Sequence, residues 1–74
     1  MPHALVITGK EILRALQKAG FVEKRIKGSH HIMAHPDGRR TVVPVHAGET
    51  IGPGLLSHIL RDCEMSQDDI KALL

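Results

Sequence analysis

What most limits the fold of this chain is that the spacing of its apolar residues changes twice. Ile12, Leu13, Leu16 and Ala19 recur at helical intervals and make one stripe. After Phe21 the helical period is lost: Val22 and Ile26 alternate with Glu23, Arg25 and Lys27 as a half-buried strand requires, and the runs His30 to His35 and Arg40 to Val45 follow. Helical spacing returns with Leu55, Leu56, Ile59, Leu60 and Cys63. At 74 residues there is material for one hydrophobic core and not two. A single domain over residues 1–74 is therefore expected, α+β in class, with helices on one face of a sheet.

Local signals sharpen this order. Thr8-Gly9-Lys10-Glu11 has the spacing of a capping box, so a first helix is expected from Gly9 to Ala19, with Gly20 as its left-handed stop. Gly28-Ser29 separates the first two strands, and Pro36-Asp37-Gly38 turns the second into the third, giving a three-stranded antiparallel meander. Gly52-Pro53-Gly54 opens the second helix, since proline is tolerated in a first helical turn. Ser66-Gln67-Asp68-Asp69 repeats the cap signal ahead of Ile70, Leu73 and Leu74, and a short last helix closes an α-β-β-β-α-α chain.

Charge divides the molecule. Residues 1–46 carry eight Lys/Arg against three Asp/Glu, and residues 47–74 carry two against five, so a balance of +5 faces one of −3. A basic half attracts polyanions and leaves the acidic half for another contact. The single cysteine, Cys63, excludes an intrachain disulfide and a cysteine-based zinc site, and fits a reducing compartment. With neither a signal-peptide pattern nor 18 consecutive apolar residues, a cytoplasmic protein with no membrane contact is expected.

Six histidines are many for a chain of this length. If Pro36–Arg39 is a four-residue loop, His31 stands opposite Pro44, Met33 opposite Val42, and His35 opposite Arg40, all on one face. Ile32, Ala34, Thr41, Val43 and Val45 then form the apolar face that takes the helices. On this register His31 faces outward beside His46, Arg40 and either Lys27 or Arg25, while His30 lies on the core side. Metal binding by His31 and His35 together is excluded by reach, because four strand residues separate their Cα atoms by about 13 Å and both nitrogens must approach zinc to about 2.1 Å. Ligation by His31 and His46 with a water stays open on reach, but no carboxylate is placed beside them, and no metal and no cofactor are expected. His3 and His58 are assigned no role, and Phe21, the lone aromatic residue, is expected in the core.

An imidazole among cations suits phosphate chemistry. RNA carries its own nucleophile, the 2′-hydroxyl, so cutting it requires proton transfer and charge neutralisation. Histidine exchanges protons near neutrality, and Lys or Arg stabilises negative charge on phosphoryl oxygens. His31 is therefore the candidate catalytic residue, with Lys27, Arg40 and His46 as candidate RNA-binding residues. Without aromatic stacking platforms, binding should come from backbone charge and depend strongly on salt.

The residues that carry this reading also resemble a known family. Lys27-Gly28-Ser29-His30-His31, His35-Pro36-Asp37-Gly38-Arg39-Arg40 and Val43-Pro44-Val45-His46, in that order and at those distances, are similar to the HicA-type mRNA interferases, toxins of toxin–antitoxin pairs. The resemblance implies a double-stranded-RNA-binding-like fold, ribosome-independent and metal-independent cleavage of mRNA, growth arrest, and inhibition by a HicB-type antitoxin that covers the active-site face. It also implies that the fourth residue of Gly-Ser-x-His, here His31, is the catalytic one. Two rivals remain: a noncatalytic RNA-binding module of the same fold, and a protein-interaction domain whose basic sheet meets an acidic partner.

Overall fold

The computed structural model describes residues 5–74, so His3 lies outside the described residues. Three helices and a three-stranded antiparallel sheet follow in the order α1 (Gly9–Lys18), β1 (Val22–Lys27), β2 (His30–Ala34), β3 (Arg40–Pro44), α2 (Pro53–Cys63) and α3 (Gln67–Leu73). The sheet order is β1-β2-β3. The α+β architecture is as the sequence implies.

Each helix begins where its cap chemistry places it. The Thr8 hydroxyl accepts from the Glu11 amide while the Glu11 carboxylate accepts from the Thr8 amide at 2.9 Å, and Ser66 and Asp69 repeat the exchange for α3. These reciprocal bonds satisfy backbone donors that a helix start leaves without partners. At the end of α1 the chain turns through Gly20 at φ +100°, and the Phe21 amide donates to the Leu16 carbonyl at 2.9 Å. The close lets Phe21 fold into the core, where it is 3% exposed.

α1 and α2 pack on one side of the sheet. Ile12 and Leu16 of α1, Leu56 and Ile59 of α2, and Met33 and Val43 of the strands are all almost fully buried in one cluster, with Ile70 of α3 completing it. Ahead of α1, the Ile51 amide donates to the Ile7 carbonyl at 2.7 Å, tying the chain start to the loop that leads into α2. Thr41, 3% exposed, donates through its hydroxyl to Asp62 Oδ2 at 2.9 Å and fastens α2 to β3.

Two strand expectations are corrected. The β2–β3 loop is three residues long, not four. The Gly38 amide donates to the His35 carbonyl, the His35 amide donates to the Arg39 carbonyl, and Gly38 sits at φ +103°, the left-handed position that closes a three-residue hairpin. His30 therefore pairs with Pro44, His31 with Val43, Ile32 with Val42 and Met33 with Thr41. A one-residue slip reverses a strand's faces: Met33 points to the helices and Ile32 and Ala34 away from them, while Thr41 and Val43 keep their expected inward positions. β1 is not half-buried either. All six of its residues are exposed, and its register shifts between Glu23 and Arg25, leaving Lys24 as the extra residue of a bulge. The bulge puts Val22 and Ile26 on opposite faces, which defeats an alternation argument.

Candidate active site

The corrected register redistributes the candidate residues. His31 pairs with Val43 on one side and Ile26 on the other, so it belongs to the face that carries the helices. It does not face outward with the cations. Its ring is nonetheless open at the sheet's end, with 18% of the side chain exposed. Nδ1 lies 2.5 Å from Glu23 Oε1, and among the described residues Nε2 has no hydrogen-bond partner.

His30, expected on the core side, is exposed on the opposite, helix-free face. Lys27 is its cross-strand partner, and Arg40, also exposed, pairs with Ala34 on that same face. A groove of about 550 Å³ is lined by His30, Ile32, Arg40, Val42 and Pro44 from the strands and by Leu55, His58 and Asp62 from α2. His46 is exposed beyond the end of β3 and lines a smaller recess that shares Pro44 and Leu55 with the groove. Thus Lys27 and Arg40 share the helix-free face but lie at opposite ends of the sheet, His46 lies beyond the end of β3, and none of the three is brought beside His31.

His35 turns out to be a structural residue. Its ring meets Phe21 edge-on at 5.1 Å between centroids, and its Nδ1 accepts from the Asp37 amide at 3.1 Å within the hairpin loop. The Arg39 amide donates to Asp37, which holds that carboxyl below its ordinary range. Arg39 itself lies over the other side of the same cluster: its guanidinium is 5.1 Å from the Phe21 ring centre and donates to the Cys63 carbonyl at 2.6 Å. By sequence reasoning Arg39 counts into the hairpin loop and has no contact, whereas it pairs with His35 at the loop's edge. Glu23 escapes such reasoning altogether, since nothing in Glu23-Lys24-Arg25 announces a bulge.

Among the described residues, no group of three or more His, Cys, Asp or Glu is arranged to hold a metal ion. The site thus consists of a partly exposed imidazole held by a carboxylate on one face, with Lys27 and Arg40 exposed on the other. Nor is any helix of the described residues long and apolar enough to cross a membrane. No curated protein matches the chain. The family model for the HicA toxin of bacterial toxin–antitoxin pairs matches residues 9–65, from the first residue of α1 to just past the end of α2, with the whole sheet between them. That match covers most of the chain and includes every strand, and the chain accordingly belongs to the HicA toxin family.

Proposed function

We propose that this toxin is a metal-independent endoribonuclease that cleaves mRNA, with His31 as its proton carrier and a HicB-type antitoxin as the partner that silences it. The observation that carries this reading is the state of the His31 ring: held through Nδ1, 18% exposed, and without a hydrogen-bond partner at Nε2 among the described residues. A ring so placed can take the proton of a 2′-hydroxyl as the O2′–P bond forms and the P–O5′ bond breaks, and can return it to the leaving oxygen. Family membership supports the same residue, because His31 ends the Gly28-Ser29-His30-His31 segment on which the resemblance rests.

The cations take a different part from the one their sequence positions suggest. Lys27 and Arg40 lie on the opposite sheet face from His31 and His46 lies beyond the end of β3, so we assign them to RNA backbone outside the scissile step. The antitoxin would act by covering the His31 end of the sheet. As for the cellular setting, a cytoplasmic toxin of this kind stops growth and shortens transcripts when expressed without its antitoxin.

Labelled RNA incubated with the purified protein in EDTA tests the reading. Wild type should cleave, and His31→Ala should lose about 100-fold or more of the rate while still binding RNA. His30→Ala should cleave normally. A specific observation favours one alternative: the groove collects His30, His58 and Arg40. Activity that survives in His31→Ala and vanishes in His30→Ala would move the chemistry there, and binding without cleavage in wild type would mark a noncatalytic RNA-binding module.

A further inference from the structure

We infer that Glu23 is a positioning residue for His31, brought to it by the bulge at Lys24. The inference rests on the reading of His31 as proton carrier and names what holds that ring ready. A carboxylate can only accept hydrogen bonds, so at 2.5 Å from Glu23 Oε1 the Nδ1 atom must bear a hydrogen. In the neutral ring this leaves the lone pair on Nε2, the nitrogen with no other partner among the described residues. Glu23 thereby selects one tautomer and one ring orientation, the service that a carboxylate performs for histidine in other proton-transfer sites.

The backbone shows how Glu23 comes to be there. Glu23 pairs with Met33, and Arg25 pairs with Ile32, the very next residue along β2, so Lys24 is looped out of the ladder. Had β1 kept the pairing of Arg25–Lys27 without a bulge, Lys24 would stand opposite Met33 and Glu23 would turn to the helix-free face. The extra residue therefore exchanges a cation for an anion beside His31. Bulges near functional sites commonly re-aim a side chain in this way. Glu23 is one-third exposed on an edge strand whose residues all face solvent, and no other hydrogen bond uses its carboxylate among the described residues. Its only evident task is to hold the imidazole.

Glu23→Met removes the acceptor at nearly constant length, and Glu23→Gln keeps an acceptor oxygen without the charge. Both variants, wild type and His31→Ala would be compared in RNA cleavage and, with ¹⁵N-labelled histidine, by NMR of the neutral ring. Glu23→Met should lower kcat about tenfold or more with KM unchanged and move the His31 hydrogen from Nδ1 towards Nε2. Glu23→Gln should fall between Met and wild type in both measurements. A Glu23→Met protein with wild-type kcat and an unchanged tautomer, beside an inactive His31→Ala, would overturn the role of Glu23 and leave that of His31 standing. Cleavage that persists in His31→Ala would instead overturn the proton-carrier reading, and the role of Glu23 with it. If Glu23→Met fails to fold, Glu23→Gln alone decides: wild-type kcat and tautomer there overturn the inference.

Discussion

Two glycines on helices show how a residue's surroundings set its value. Gly9 opens α1 against the end of β3, and a Cβ there would run into the Pro44 carbonyl oxygen and come within 3.2 Å of the Val45 Cα. Both obstacles are backbone and cannot swing aside. Gly9→Ala should cost about 1–3 kcal/mol, seen as a lower midpoint in urea unfolding. Gly54, in the first turn of α2, has nothing within 4 Å of the place a methyl group would take. Gly54→Ala should instead raise stability by about 0.5 kcal/mol, because it restricts the unfolded chain without a clash. Cys63 offers a check by pH. Burial pushes its thiol from 9.0 up to about 11, so the native thiol stays protonated in a range where the unfolded one ionises. Its contribution to stability is complete below pH 9.0 and is lost as pH rises towards 11. Alkylation at pH 8 should accordingly be slow until denaturant is added.

At the scale of elements, the β2–β3 hairpin governs which histidine faces where. Its register depends on Gly38 closing a three-residue loop at φ +103°, and on Asp37 and Arg39 holding that loop against Phe21 and the end of α2. Gly38→Ala should destabilise by about 1 kcal/mol, since an L-residue is strained in that conformation. Arg39→Ala should cost about 1–2 kcal/mol through loss of a charged donor to the Cys63 carbonyl. Thermal unfolding of both variants would measure these costs. The hairpin also explains why the sequence misleads about facing. By hydropathy Ile32/Ala34 is the more apolar inward pair, yet the loop length turns His31/Met33 inward instead. Gly38 is the available signal, and counting Arg39 into the loop conceals it.

For the whole molecule, the proposed function divides the work between the two sheet faces: proton transfer on one, electrostatic capture on the other. Because Lys27 and Arg40 hold RNA by charge in this proposal, the double variant Lys27→Ala/Arg40→Ala should weaken binding to all sequences alike. It should also make the slope of log affinity against log salt shallower by about 1–2 units. Titrations at several salt concentrations would show it. An unchanged slope would remove both residues from the interface.

Helix positions, strand count and the α+β class are legible in the sequence, because caps and apolar period act within a few residues. Thr8/Glu11 and Ser66/Asp69 announce their helices directly. The candidate histidine is legible too, from Gly28-Ser29-His30-His31. Its face and its carboxylate partner are not. Both depend on strand pairing, where one loop residue or one bulged lysine reverses a side chain's direction while leaving the local hydropathy almost unchanged. Only the folded sheet could set Glu23 beside His31 and send Lys27 and Arg40 to the other side.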